Sequence, residues 1–597
     1  MALELFLNFT LTSWHLRELN YIISGAHYNH DIQTLVFFGS TFEVERYIRA
    51  AEIWTTPKIV ITEHTGEIHL KNDAGVNNNI FFVAIGNLRR RSFWNHMNNA
   101  LSEMQSRVRG VFITNPPNGK RAQLNVGEHF EWCWQRGLIN TLILVDNELP
   151  REERFEIFNY NPFLKNSILD KSNATSFNLF PDKFRNLHGY QIKATAQYDP
   201  PRVFERRECK GKKRQPLSGY VANIFRAFLK EYNASLYLPY YYPNKTLDIV
   251  EILQQINQGD VELSINPYVP HKGVQLSYPI RMLRRCIVVP AAKELEKYKY
   301  FIMPFDVDVW LCFLGSWVWL SLARLLNWTS THRRCKCNRL DVGRTFLEVF
   351  RLLAFLPVPG NCCSRSVRWY HLLWFMLIVP LAFILSNLYL ASLTSFFSGL
   401  TFRPQIRTLD ELVKRNLAVE TIDYDIPSIL DNRGLPKGFV DLLKPRSPSE
   451  LIADILDLRS TLTFSALIDR IQFVLNQEKH LLKPTKHIVE ECINTVPFGF
   501  VMPPHSQFEL PLNRFLLRCA AAGLIEKWAR DSIEDAYCSG MLTLKKTEFQ
   551  VARPLLLEHF QFGWYVLGGG YTLSLLAFVL ENLKRILRRF RIFIIYY

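Results

Sequence analysis

Cysteines and histidines are the first residues whose spacing invites a chemical reading. Cys335 and Cys337 form a CKC pair just after His332, and Cys362 and Cys363 are adjacent. A structural zinc site needs four ligands in a tetrahedral array, and no histidine pair is spaced to complete one. These cysteines read as free thiols, with acylation beside a membrane as the alternative. The stretch HFEWCW, His129 to Trp134, reads as two core tryptophans and a buried Cys133 rather than a metal site or a nucleophile. No G-x-S-x-G, P-loop or H-E-x-x-H motif occurs, so the sequence indicates no enzyme, no metal and no cofactor. Asn8, Asn173, Asn233 and Asn244 each open an N-x-S/T sequon, which predicts N-glycosylation.

Positioning such residues takes elements of two kinds. The chain has 597 residues, enough for about four domain-sized units. It is 48% hydrophobic and 13% aromatic, too apolar to be mostly disordered. A mean hydropathy of -0.03 beside 21% charged residues suggests soluble domains joined to membrane segments. Val309–Leu322 carries no charge and extends to Leu326 with Arg324 snorkelling. Trp369–Phe402 has no Asp, Glu, Lys or Arg, and Phe562–Leu580 is uncharged. Each is long enough to cross a bilayer, given tilt. Basic clusters follow the first span (His332 to Arg339), precede the second (Arg365, Arg368) and follow the third (Lys584 to Arg591). By the positive-inside rule all three agree only with the N-terminus outside and the C-terminus inside. The four sequons precede the first span, as this requires. A fifth, at Asn327, falls at the inner face and stays unmodified. The net charge of +16 is partly these flanks facing lipid headgroups. Clustered aromatics of a nucleic-acid surface are absent, so no nucleic acid is expected. The apolar start, Leu3–Leu11, makes a poor signal peptide.

Between the first two spans, Thr345–Gly360 is apolar but too short to cross. It is either a surface-lying helix or a re-entrant loop. Residues 1–186 carry strand candidates at Thr34, Lys58, Ile80, Gly110 and Thr141, with gaps of βαβ length. A second α/β pattern runs over 187–305, with helices at Ser218–Tyr232 and from Leu247 to Gly259. A third covers 403–558: Thr408 caps one helix, and LPLNRFLLRCAAAGLIEKWARD reads as one long amphipathic helix. The expected division is 1–186, 187–305, a span at 306–328, a cytoplasmic and pore loop at 329–363, a span at 364–402, 403–558, a span at 559–582 and a basic tail at 583–597.

This order resembles the ionotropic glutamate receptor superfamily over about 190–582. Leu388–Ser398 reads LYLASLTSFFS and keeps Tyr389, Ala391, Leu393 and Phe396 of the family gate motif SYTANLAAFLT. QGDVELSINP, RPQIRTLDELVKRNLAV and TVPFGFVMPPHSQFELPLNRFLLRCAAAGLIEKW resemble lobe segments of the same family. The resemblance implies a multi-domain membrane protein. It would have an extracellular α/β N-terminal domain, a bilobed periplasmic-binding-protein-like clamshell, three transmembrane helices and a re-entrant pore loop at Phe355, Leu356 and Pro357. It also implies a Cys492–Cys538 disulfide. Asp469, in FSALIDR, falls where an acidic residue holds the ligand amine. The glutamate-carboxylate arginine is missing: Pro267-Tyr268-Val269 stands in place of its motif, Lys272 is the nearby cation, and Arg281 and Arg284 come later. A kept channel core with an eroded glutamate site is similar to the divergent chemosensory ionotropic receptors of insects. That implies a ligand-gated cation channel subunit in the plasma membrane of sensory neurons. It would sense an odorant, tastant or contact pheromone and assemble with co-receptor subunits in a heterotetramer. A non-conducting, membrane-anchored binding or assembly subunit is the alternative.

Overall fold

The computed structural model describes residues 13–595 apart from internal stretches, the longest being 115–124, 147–154, 171–178, 333–341, 358–368 and 545–559. Asn8, Asn173 and Lys272 lie outside the described residues, as does the side chain of Asn244. The chain divides into two compact units: 1–290 with 406–546, and 291–405 with 547–597.

In the first unit, the five apolar runs near the N-terminus fold as β1 (Thr34–Phe38), β2 (Lys58–Ile61), β3 (Ile80–Ile85), β4 (Arg109–Thr114) and β5 (Asn140–Val145). They are parallel in the order β2-β1-β3-β4-β5, and β6 (Glu156–Tyr160) and β7 (Ile168–Asp170) add antiparallel strands at one edge. Successive residues feed opposite faces. Leu35, Phe37, Phe81 and Val83 pack with Leu19 and Ile23 of the Ser13–His30 helix, and Val36, Phe38, Phe82 and Ala84 pack with Trp94 and Phe130 on the other side. Burial on both faces is why β1, β3, β4 and β5 read as unbroken apolar runs, while β2, at the sheet edge, leaves Val60 exposed. The Thr41–Ile48 helix is fixed by a capping box between Ser40 and Glu43. HFEWCW lies in the Val126–Gln135 helix, where His129 and Cys133 are buried; Cys133 is a free thiol whose pKa burial pushes up to about 12.

The rest of this unit is built on β8 (Gln191–Tyr198), β9 (Phe204–Arg206), β10 (Gln215–Ser218), β11 (Ser235–Thr246), β12 (Leu263–Ser264), β13 (Pro267–Tyr268), β14 (Gln275–Leu276) and β15 (Arg281–Pro290) before the break. After it come β16 (Val419–Ile422), β17 (Leu443–Arg446), β18 (Phe464–Leu467), β19 (Lys486–Ile488) and β20 (Asn494–Met502). A parallel β11-β8-β12 sheet packs on the Tyr220–Glu231 helix, whose apolar stripe of Val221, Ile224, Phe225 and Phe228 meets Phe500, Leu512 and Phe515. An eight-stranded sheet interleaves both halves of the chain in the order β13-β20-β15-β18-β16-β17, with β14 on β20 and β19 on β15. Strands separated by more than a hundred residues of intervening chain are therefore hydrogen-bonded neighbours.

Two expectations change. The long helix after residue 509 is two, Glu509–Ala521 and Leu524–Cys538, because Gly523 adopts φ 67°, a left-handed cap that a Cβ would disfavour. Cys492 is bonded to Cys286, not to Cys538. The antiparallel register of β20 on β15 sets Asn494 opposite Arg285, and Ile493 N–H donates to Arg285 O at 2.7 Å, which brings Cys492 beside Cys286. Cys538, at the end of its helix, is in a separate disulfide.

Among the described residues, the second unit holds three helices long and apolar enough to cross a membrane, with candidate spans Val307–Leu326, Met376–Ser398 and Gln561–Leu580. The first helix runs Val307–His332 and the second Trp369–Ser398. The third continues to Ile595, so the basic residues beyond Leu580 prolong the helix. Between the first two lies a 12-residue helix, Val342–Leu353, about 18 Å long at 1.5 Å per residue and too short to span.

Candidate functional site

The chemistry in the first unit centres on a turn. β8 ends at Tyr198, and Asp199 and Val203 bridge across a tight loop in which Arg202 N–H donates to Asp199 O at 2.8 Å. The N-terminus of the Tyr220–Glu231 helix docks on this loop. Tyr220 N–H donates to Pro201 O (3.2 Å), and Val221 and Ala222 N–H to Arg202 O (3.2 and 3.3 Å). These are the orphan donors every helix start must satisfy. Gly219 makes the approach possible: it sits at φ 105°, and a Cβ there would lie 2.3 Å from Arg202 O.

The docking fixes two side chains toward Asp469, at the start of the Ile468–Leu475 helix that follows β18. Arg202 donates from Nε to Asp469 Oδ2 at 2.9 Å and from Nη2 to Oδ1 at 3.0 Å, a two-pronged pair. Its Nη1 reaches Asp199 Oδ2 at 3.2 Å, and its guanidinium lies 4.2 Å over the Phe498 ring. Tyr220 O–H donates to Asp469 Oδ2 at 2.9 Å. Arg470 closes the ring on Asp199. All five residues are buried, and two carboxylates balance two guanidiniums. Burial alone would raise the Asp469 carboxyl. Arg202, Arg470 and the Tyr220 hydroxyl outweigh it and hold the pKa below the usual carboxylate range. Burial likewise opposes the Arg202 charge, but Asp199 and Asp469 raise its pKa further still.

A cavity of about 310 Å³ opens beside this cluster, lined by Pro201, Tyr220, Arg281, Asp469, Gln472 and Glu526 among others. Asp469, singled out from the sequence, is thus at a cavity but already partnered. Pro267 is buried in β13 opposite Phe500 and is not among the cavity-lining residues. Arg281 does reach the cavity, paired with Glu526 at 2.7 Å, while Arg284 is exposed on β15. Arg202, Asp199 and Tyr220 were not expected. The signal for Arg202 was its place directly after a strand and Pro-Pro, in DPPR.

In the second unit, the expected gate residues lie on the last turns of the Trp369–Ser398 helix. Tyr389 O–H donates to Phe301 O at 3.1 Å, and its ring meets Phe305 at 5.6 Å. Phe396 stacks on Tyr300 at 6.0 Å, Leu393 is half-buried, and Ala391 is exposed. Phe301 also stacks on Phe562 of the third helix at 5.8 Å. The segment at 297–305 is therefore a collar around the helix ends. The outgoing and returning chain pair beside it: Glu294 bridges Phe402, and Arg403 donates to Glu296 at 2.6 Å. The short Val342–Leu353 helix is pinned to the first span. Arg324 donates to Glu348 Oε2 at 2.5 Å and Trp317 Nε1–H to Phe346 O at 2.9 Å; Arg344, on the short helix itself, donates to Glu348 Oε1 at 3.1 Å. Phe355 follows with φ 53° and packs on Phe383 at 5.2 Å; Leu356 is exposed beside it.

These features define a class: a multi-domain protein with an α/β unit assembled from two separated stretches of chain and a helical unit carrying three candidate membrane spans. Within that class, the chain is similar to plant glutamate receptors of Arabidopsis thaliana. It is 23% identical to glutamate receptor 2.9 over 395 residues, 61% of this chain and 38% of that protein. It is 24% identical to glutamate receptor 2.8 over 328 residues, 50% and 31% respectively, and 25% identical to glutamate receptor 2.2 over 252 residues. The chain spans less than two fifths of the length of these relatives. No family model matches it. The similarity is weak and supports the ionotropic glutamate receptor superfamily.

Proposed function

We propose that the chain is a ligand-gated cation channel subunit of the divergent ionotropic receptor type, sensing a small chemical other than glutamate in the plasma membrane of chemosensory neurons. The observation that carries this reading is the discontinuity of the α/β unit. Residues 1–290 and 406–546 fold together, and the chain that leaves and returns between them supplies two candidate spans with a short helix tucked between. A clamshell wired this way passes any change in its closure to the paired linkers at Glu294 and Phe402 and on to the gate residues Tyr389, Ala391, Leu393 and Phe396. A ligand drives that change only by binding one state more tightly than the other. Phe355, Leu356 and Pro357 then line the permeation path, and selectivity rests on backbone carbonyls and geometry. Co-receptor subunits complete a heterotetramer, with lipid covering the exposed apolar helix faces.

The test is co-expression with co-receptor subunits and electrical recording. A Leu356→Glu variant alters permeability ratios and Ala391→Trp alters opening, at unchanged surface levels. Wild-type currents from both variants would sink the reading. One observation favours the alternative of a non-conducting, membrane-anchored binding or assembly subunit: the carboxylate expected to hold a ligand amine is occupied by Arg202.

A further inference from the structure

The Asp469 cluster differs from a vacant subsite in one respect that decides its chemistry. The carboxylate is not held by neighbours on its own element. Its bidentate partner comes from the β8–β9 turn, on the side of the β11-β8-β12 sheet, whereas Asp469 and Arg470 follow β18 in the eight-stranded sheet. The contact therefore joins the two halves beside the cavity. It is charge-balanced, two acids to two bases, so an incoming cation finds no uncompensated negative charge. Both Asp469 oxygens already accept from Arg202, and Oδ2 also accepts from Tyr220.

We propose that Arg202 is a built-in cationic ligand of Asp469, clasping the two halves and closing that subsite to amine-bearing ligands. The clasp stands on geometry alone; the exclusion of amines as a rule of ligand choice rests on the receptor reading. It follows that a ligand entering the adjoining cavity is not held by an amine on Asp469, and the other lining pair, Arg281 with Glu526, is charge-balanced too. Removing the Arg202 side chain leaves one net negative charge beside a vacated, guanidinium-shaped space. Small guanidinium ions are the chemistry that fills it.

The experiment uses the full chain purified in detergent and millimolar methylguanidinium chloride, with potassium chloride as the control. Arg202→Ala melts lower than wild type and recovers at least half of the loss with methylguanidinium. Wild type and the Arg202→Ala/Asp469→Asn double variant do not respond. Equal shifts in all three, or a folded Arg202→Ala that ignores the probe, overturn the clasp. If Arg202→Ala does not accumulate, Arg202→Lys keeps the charge but loses the two-pronged geometry. Amide exchange over 466–472 then rises at least threefold while that of 34–38 stays fixed, and unchanged exchange over 466–472 overturns it. Glycine added to wild type gives no shift; a shift would mean Asp469 is open to amines and would end the proposal while leaving the receptor reading intact. Silent channels with intact methylguanidinium rescue would do the reverse.

Discussion

Buried charge in this protein is either balanced by a partner or held at a cost. The Arg202–Asp469 pair is of the first kind. Taking one member away strands the other, so Asp469→Asn is expected to cost about 3–5 kcal/mol in stability, read by thermal melting. Its sign with pH is fixed by the lowered carboxyl pKa: the contribution is complete above the unfolded value of about 3.9 and lost as pH falls through the folded one. The variant should therefore have a shallower acid limb. Lys183 is of the second kind. Its Nζ donates to Ile139 O at 2.6 Å and lies 4.4 Å from the Tyr160 ring, with the Cys133 thiol close by. Burial lowers its pKa to about 7. Between pH 7 and about 10.4 the unfolded chain binds a proton that the folded one does not, so stability rises with pH across that window. Lys183→Met should flatten the rise; a melting profile whose slope over pH 7–10 is unchanged would show that Lys183 does not set it. At this scale the sequence was partly legible. Asp469 could be picked out by resemblance, but Arg202 sits 267 positions earlier in a turn with no periodicity, so nothing local connects the two.

The elements were the more readable part. All five N-terminal strand candidates and the 220–231 helix announced themselves because burial imposes a period on the residue pattern. What failed were features with no period. Gly523 splits a pattern that is helical on both sides, and the Cys286–Cys492 bond depends on the register of β20 on β15, which spacing between cysteines does not encode. Both have measurable consequences. Cys286→Ser should lower stability by about 2–4 kcal/mol, the usual worth of such a cross-link, and Cys492→Ser by the same amount. Unequal losses would mean that one thiol serves another purpose. Gly219 is the element-scale counterpart of the clasp. Gly219→Ala drives a Cβ into the Arg202 carbonyl at a left-handed φ, while Gly259→Ala meets only the strain of φ 77° with open space around it. The second should cost about 1 kcal/mol and the first clearly more. The order of the two melting temperatures is the measurement, and the reverse order would mean that the loop yields at no cost.

For the whole molecule, the folding of 1–290 with 406–546 into one unit constrains topology without reference to any relative. In a membrane-bound protein both stretches would have to reach the same side, so the chain between them would cross an even number of times. The Val342–Leu353 helix is too short to add a crossing. The candidate spans Val307–Leu326 and Met376–Ser398 would supply two crossings, and a third, by Gln561–Leu580, would carry the C-terminus to the opposite side. Asn233 offers a native reporter, being exposed at φ 51° in a sequon. Asn416 offers an engineered one: it is exposed at φ 50°, and Ala418→Thr makes it a sequon in the returning stretch. Both should be glycosylated in the same molecule, while an epitope tag after Tyr597 stays protected from external antibody in intact cells. Modification at Asn233 without Asn416 would place the two stretches on opposite faces, and then neither the eight-stranded sheet that interleaves them nor the Arg202–Asp469 pair can exist in the membrane-bound protein.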